Sequence, residues 1–397
     1  MKINYGQNVY GREEINAVVS KLKKTTQIGN SVFNFEKKVC KFFKKKHGLM
    51  VNSGSSALIL AIKALDIKKN SEVILPCLNF GTALSSVILC GLKPVLVDVD
   101  IRTLQIQSEK IEKKINKKTK LLLIPNLIGL IPDWKKIYYL AKKYKLKIIE
   151  DSADTIGATI DNKPTGIYSD ISITSFYGSH VISCAGNGGM LLTNDKKIFL
   201  KAKIMRSWGR MSSVLKNSEN IKHRLNIKIK NFDYDRKFVF SELGYNFEPN
   251  EIGASFGLVQ LKKLNKFSIQ RDKNFKAHLN FFKKYEEYFI VPNVAKNIKT
   301  NALAYPLILK PKKINRKRFQ IYLEKNNIQT RPIFSGNILR HPAFQHLIKN
   351  KKHLNSYKNS DFIMKYGLLI GCHQGLKNIE IGYIHKKIMN YIKQTKK

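Results

Sequence analysis

The sequence predicts an α/β fold, with a large, mainly parallel β-sheet covered by helices on both faces and a small C-terminal α/β domain. Three observations carry that reading. Short apolar runs rich in β-branched residues alternate with amphipathic helical stretches through the first two-thirds of the chain. Strand–helix alternation of this kind builds parallel sheets buried on both faces. After a polar interruption the pattern changes to one long helical stretch followed by short mixed elements, and 397 residues suffice for one large core plus a smaller one.

The expected strands are 72–76, 94–99, 120–125, 147–150, 170–175 and 189–193, and the helices between several of them are 55–65, 82–90, 109–115 and 134–144. Residues 211–230 are polar and aperiodic and read as a loop or excursion. A helical pattern returns at Asn250 and runs, with room for a break, to about Tyr288. We place a large, ligand-bearing domain at 1–265 and a small domain at 266–397. Ligands of such sheets sit beyond the carboxyl ends of the strands, so the residues following each strand are the ones to search.

Composition narrows the function classes. An apolar content of 43% with 25% charged residues is that of a globular chain. No run approaches the roughly 20 apolar residues of a membrane span, and the start Met1-Lys2-Ile3-Asn4-Tyr5-Gly6 lacks the apolar core of a signal peptide. A cytoplasmic protein with no membrane partner is expected. Five scattered cysteines (Cys40, Cys77, Cys90, Cys184, Cys372) fit buried thiols better than disulfides or a metal site. The net charge of +44 comes from 61 Lys against 11 Arg, spread along the chain. Nucleic-acid recognition favours clustered Arg with interleaved aromatics, so we read solvated helix faces that help draw in an anionic substrate.

Four segments carry candidate chemistry. Asn52-Ser53-Gly54-Ser55-Ser56-Ala57 opens a helix with small residues, suited to a phosphate dianion, although an ordinary helix cap accounts for it equally well. Glu150-Asp151-Ser152-Ala153-Asp154 puts carboxylates at the end of a buried strand, where one can hold a proton on a pyridine nitrogen or merely cap a helix. Ser175-Phe176-Tyr177-Gly178-Ser179-His180, followed by Gly186-Asn187-Gly188-Gly189, sets a hydroxyl and an imidazole beyond the next strand; alone, His180 would more often be a satisfied core histidine. Gly244-Tyr245-Asn246-Phe247 is a turn entering the long helix.

In this order and spacing, together with Gly29 and Phe35-Glu36, these segments make the chain closely resemble the DegT/DnrJ family of sugar aminotransferases and dehydratases over nearly its full length. The resemblance implies a fold-type-I, aspartate-aminotransferase-like architecture, pyridoxal or pyridoxamine phosphate as cofactor, and a homodimer with active sites at the subunit interface. It implies that Ser55 and Ser56 bind the cofactor phosphate with Ser175 assisting, that Phe80 stacks on the ring, and that Asp151 pairs with the pyridine nitrogen. Asp154 falls near the ring hydroxyl, and Asn246 reaches the phosphate of the neighbouring subunit's cofactor.

Aminotransferases of the family carry a lysine where this chain has His180. Imidazole cannot bond the cofactor covalently but serves as a general base near neutral pH. The exchange resembles the family's 3-dehydratases, as do Tyr177 and residues 206–210, 238–246, 331–337 and 371–374. That branch implies a nucleotide-activated 4-keto-6-deoxyhexose as substrate, His180 moving the proton at the cofactor's C4′ carbon, and loss of the C3 hydroxyl. One type in the branch carries a [2Fe-2S] cluster and takes electrons from a reductase; the other is cluster-free and draws its amino group from glutamate. Cluster ligands are thiolates, yet Ala153 stands at the first cluster position and 211–230 contains no cysteine, so no cluster is expected. Asn187 for the usual glutamate and Glu248 for a usual basic residue depart from the family pattern. A sugar aminotransferase using another base, or an inactive homologue, are the alternatives.

Overall fold

A computed structural model describes residues 1–215 and 219–395. Its large sheet has seven strands: β1 His47–Val51, β2 Glu72–Pro76, β3 Lys93–Val97, β4 Thr119–Pro125, β5 Lys147–Ser152, β6 Ile171–Ser175 and β7 Gly189–Thr193. Their order is β1-β7-β6-β5-β4-β2-β3, and all run parallel except β7, which is antiparallel to both neighbours. Six strands fall where the sequence places them, within a few residues at their ends. β1 was not anticipated, because its five residues follow a helix so closely that the change of period is hidden.

Period-two alternation sorts the sheet's side chains into two cores. Leu75, Leu121, Leu123, Ile149 and Ile173 face one way, toward helices α3 (Gly54–Ala64) and α4 (Gly81–Leu89). Ile74, Leu122, Ile124 and Ile148 face the other way, against Trp134, Ile137 and Leu140 of α5 (Trp134–Lys143). Each such side chain, fully buried, contributes about 1.5–3 kcal/mol. Helices α1 (Arg12–Leu22), α2 (Asn30–Phe43) and α6 (Lys196–Arg206) complete this part.

The long helix α7 is one unbroken element of 33 residues, Glu251–Lys283. The expected division at 265/266 falls inside it. Leu264 and Phe267 pack with α2 residues, whereas Phe275 and Phe282 join the core of the C-terminal sheet. That sheet is antiparallel and contains β8 Phe289–Ile290, β9 Tyr305–Leu309, β10 Thr330–Arg331 and β11 Gly367–Ile370 in the order β8-β9-β11-β10. Helices α8 (Arg316–Lys325), α9 (Lys358–Tyr366) and α10 (Asn378–Thr395) accompany it. The N-terminus is tied to this part: Ile3 donates its N–H to the Asn327 carbonyl at 2.8 Å.

Within the expected excursion 211–230, residues 216–218 lie outside the described residues. The rest holds a short turn of helix at Met211–Val214, a helix at Ile221–Leu225 and a strand at Lys228–Ile229 that pairs with Phe232–Asp233. Among the described residues no helix is long and apolar enough to cross a membrane. All five cysteines are buried and carry free thiols.

Candidate active site

Four of the parallel strands deliver their carboxyl ends to one edge of the sheet. At the end of β1, Ser53 caps α3: its Oγ accepts the Ser56 N–H at 3.1 Å. The buried Ser56 hydroxyl donates to Asn52 Oδ1 at 2.6 Å. Ser55 is half-buried and its hydroxyl is bonded to no described residue, so it and the unpaired first-turn amides present the open end of α3. Gly54 is required here by close approach, since a side-chain carbon would lie 2.8 Å from Ser175 Cβ. The absence of that carbon brings the Ser175 hydroxyl, at the end of β6, against the helix start.

Asp151 stands near the end of β5, in register between Pro125 of β4 and Ile173 of β6. Its Oδ1 accepts the Ala153 N–H at 3.0 Å. Burial, assisted by the Glu150 charge, pushes its carboxyl up to about 6. Glu150 points to the opposite face, where Asn126 (2.9 Å), Ser152 (2.9 Å) and Ser172 (2.6 Å) all donate to it. Asp154 accepts the Ile128 N–H at 2.8 Å, and burial, with Asp151 adding to it, pushes its carboxyl up to about 7.

His180 lies on the loop between β6 and β7, its N–H donating to the Tyr177 carbonyl at 3.0 Å. The Tyr177 ring meets the imidazole edge-on, with centroids 5.8 Å apart. Burial first, and then the charge of Arg271, lower the imidazole to about 4, against the opposing effect of the Ser175 backbone. Nδ1 is buried and bonded to no described residue. Phe80 follows β2 at the same sheet edge, its ring 59% exposed and edge-on to Phe334 at 6.0 Å. Asn246 is exposed; its backbone pairs with Ser207, and its carbonyl accepts from Asn52 Nδ2 at 3.4 Å. Two segments singled out separately in the sequence, 206–210 and 238–246, therefore lie side by side, with a second bridge between Arg210 and Phe240.

These residues fit a phosphorylated pyridine cofactor. The open end of α3 matches a phosphate, the exposed Phe80 ring offers a flat apolar face, and Asp151 is a carboxylate at the edge of the sheet. The buried His180 Nδ1, without a bond to any described residue, is a polar atom that a bound group would satisfy.

Sequence reasoning missed the N-terminal segment and one arginine. Tyr5 is raised by burial and by the neighbouring Asp154 and Cys372, with Arg271 and Arg331 opposing. The Arg331 guanidinium lies 5.9 Å from the Tyr5 ring centre, and a side-chain carbon on Gly6 would lie 3.1 Å from Ser179 Cβ. Arg271 is fully buried in α7 and donates to Gln374 Oε1 at 2.6 Å. A signal for it existed: where 61 Lys meet 11 Arg, an arginine within an apolar helical stripe marks a need for fork geometry.

Fold and site together define a fold-type-I pyridoxal-phosphate-dependent enzyme of the kind that modifies sugars. The chain belongs to the DegT/DnrJ/EryC1/StrS aminotransferase family, whose pattern matches residues 9–389. It is 31% identical over 369 residues to the lipopolysaccharide biosynthesis protein RfbH of Salmonella typhimurium, covering 90% of this chain and 84% of that one. It is 29% identical over 394 residues to GDP-4-keto-6-deoxy-D-mannose 3-dehydratase of Escherichia coli, covering 97% and 99%. A GDP-perosamine synthase of Caulobacter vibrioides is 32% identical over 248 residues, covering 62% and 61%. The solved E. coli GDP-4-keto-6-deoxy-D-mannose 3-dehydratase with bound hydrated PLP superposes with a TM-score of 0.85 at 28% identity, covering 98% and 100%. A GDP-4-keto-6-deoxymannose 3-dehydratase structure with a trapped PLP–glutamate geminal diamine superposes at 0.83 and 27% identity, covering 97% and 99%.

Proposed function

We propose that this protein is a pyridoxal/pyridoxamine-phosphate-dependent 3-dehydratase, which removes the C3 oxygen of a nucleotide-activated 4-keto-6-deoxyhexose during dideoxysugar or surface-polysaccharide biosynthesis. One observation carries the reading: the side chain on the loop after β6 is an imidazole, His180, where the family's aminotransferases place a lysine. When bound, the cofactor supplies an amine for the 4-keto carbon and a pyridinium that takes up electrons. The open end of α3 with Ser55, and Ser175 beside it, hold the phosphate, while Ser56 braces the helix start through Asn52 and Ser53. Phe80 covers one face of the ring. Asp151 keeps the ring nitrogen protonated, and burial makes that pairing stronger than it would be in water. Asp154 has one oxygen committed to Ile128 and the other free to face the ring hydroxyl.

His180 is neutral across the physiological range and takes the proton at C4′ as the C3 hydroxyl departs. Glutamate is the amino donor we assign, in keeping with the glutamate adduct of the related dehydratase. The reaction balances as 4-keto-6-deoxy sugar plus glutamate giving 3-deoxy ketosugar, 2-oxoglutarate and ammonia. We assign a second copy of this chain as partner. Exposed Phe232, Phe238, Phe240 and Leu243 cluster in sequence beside Asn246, the residue assigned to the partner's cofactor phosphate. No nucleic acid, membrane or metal enters the reading.

A second reading, transamination at C4, is favoured by the perosamine synthase relatives. The two differ in product mass. Incubation with pyridoxal phosphate, glutamate and GDP-, CDP- and dTDP-linked 4-keto-6-deoxyhexoses should give a sugar lacking one oxygen. A sugar that has gained an amine and kept its C3 oxygen establishes transamination instead. His180→Asn should lower dehydration at least about 100-fold, and full turnover by that variant removes His180 from the chemistry.

A further inference from the structure

We propose that Arg271 is a positioning residue of this site: from the middle of α7, one guanidinium ties the His180 loop to the loop that Asp154 holds. Two chains of hydrogen bonds leave it. Along the first, Arg271 Nε–H donates to Gln374 Oε1 at 2.6 Å, and Gln374 Nε2–H donates to the Val181 carbonyl at 3.3 Å, one residue past His180. Along the second, Arg271 Nη1 donates to the carbonyls of Ala302 (2.8 Å) and Leu303 (3.2 Å). The Leu303 N–H donates to the Ile128 carbonyl at 2.7 Å, and the Ile128 N–H donates to Asp154 at 2.8 Å. The base and a carboxylate of the site are thus indexed to the same rigid fork.

The choice of arginine follows from geometry. A planar guanidinium fixes the direction of three acceptors at once, whereas an ammonium on a flexible stem fixes none. Burying this cation is costly, and its Nη2 is left without a bond to any described residue. A packed apolar residue would be the cheaper filler were stability the only demand.

Charge acts alongside position. Beside the imidazole stand Tyr177 of its own loop, edge-on, and Arg271 of α7; Arg271 in turn neighbours Tyr5 of the N-terminal segment and Cys372 and His373 of the loop after β11, with Asp154 and Arg331 beside Tyr5. Of these, Arg271 is the cation that disfavours protonation of the ring. Burial does most to keep the base free of a proton, and Arg271 adds to that while its fork keeps the base aimed.

This inference rests on His180 being the base, and the experiment separates the two. Holoenzyme carrying Arg271→Met, Arg271→Lys or Gln374→Leu is compared with wild type and with His180→Asn. Histidine labelled at Cε1 reports the titration of the imidazole, the His180 resonance being the one missing from His180→Asn. Arg271→Met should raise the His180 midpoint, by less than burial lowers it. It should also lower kcat at least about tenfold with little change in KM. Arg271→Lys should restore the midpoint but not kcat, and Gln374→Leu should lower kcat with the midpoint unmoved. Wild-type kcat in both Arg271→Lys and Gln374→Leu overturns the proposal, even if Arg271→Met fails to fold. An unmoved midpoint in a folded Arg271→Met overturns it as well. Failure of the underlying reading shows itself elsewhere, as full dehydration by His180→Asn.

Discussion

The carboxylate of Asp154 accepts the backbone N–H of Ile128 at 2.8 Å, and Ile128 sits at φ 62°, in the left-handed region. That conformation is costly for a β-branched residue. It is also fully buried, so the surrounding structure must hold it in place. Asp154 therefore has a structural task in addition to any contact with the cofactor.

The two tasks separate by substitution. Asp154→Ala should cost about 1–3 kcal/mol of stability, because it strips a buried N–H of its acceptor beneath a strained residue. Asp154→Asn keeps an acceptor oxygen and should cost less, while losing the charge that the proposed function assigns to the cofactor's ring hydroxyl. Denaturant midpoints and cofactor affinities of the two variants check this. Equal stability of the alanine and wild-type proteins would show that Ile128 needs no anchor.

How the cofactor is held gives a second expectation. No amine stands at position 180, so borohydride should leave the cofactor dissociable from wild-type protein by dialysis or denaturation. His180→Lys should become covalently labelled after the same treatment and should dehydrate poorly, since the new amine competes with the sugar for the cofactor carbon. Intact-protein mass spectrometry reads both. Covalent labelling of wild type would mean that some other lysine reaches the cofactor.

Much of this arrangement is legible in the chain because it is local. A run such as Leu121-Leu122-Leu123-Ile124 declares a strand buried on both faces, and the residues just after each strand are necessarily at the sheet edge where ligands bind. Asp151, Ser175 and His180 became candidates that way, and the family resemblance supplied the roles proposed for them. Tyr5 and Arg271 did not, because their place is decided by contacts across a hundred residues or more: Ile3 bridging to Ile328, and Arg271 reaching Gln374. The inequivalence of Ser55 and Ser56 was hidden for another reason. Which hydroxyl of a Ser-Ser pair turns inward depends on helix phase and on Asn52, and the motif records neither.

The buried carboxyls make stability depend on pH in a definite direction. Asp151 and Asp154, at about 6 and about 7, lie above the ordinary aspartate value of 3.8. Below pH 4 they are protonated in both folded and unfolded chains and cost nothing. Between pH 4 and about 6 to 7 the unfolded chain has released these protons while the folded chain still holds them, so this contribution to stability falls across that window and is fully lost above it. Carboxylates such as Glu251, which accepts the N–H groups of Ser31 and Val32 and is lowered by them, act with the opposite slope. The test is accordingly a difference: cofactor-free Asp151→Asn should melt higher than cofactor-free wild type at pH 8, and the gap should narrow toward pH 5. A gap that does not change with pH would show that Asp151 is not raised.

The phosphate cradle gives the last expectation. Ser56 donates its hydroxyl to Asn52 and shares a 2.9 Å contact with Ser53, so within the folded chain it is already satisfied. Ser55 is not. Ser55→Ala should leave the cofactor-free protein as stable as wild type, because no internal bond is lost, yet weaken cofactor binding by about tenfold or more through one missing charge-assisted bond to phosphate. Ser56→Ala should do the reverse, lowering the melting temperature of the cofactor-free protein as the brace between β1 and α3 goes. Equilibrium dialysis with pyridoxal phosphate, set beside thermal melts of both variants, distinguishes holding the ligand from holding the helix. If Ser56→Ala lost cofactor affinity with an unchanged melt, the phosphate would have to draw the Ser56 hydroxyl away from Asn52, and the cradle would form only around its ligand.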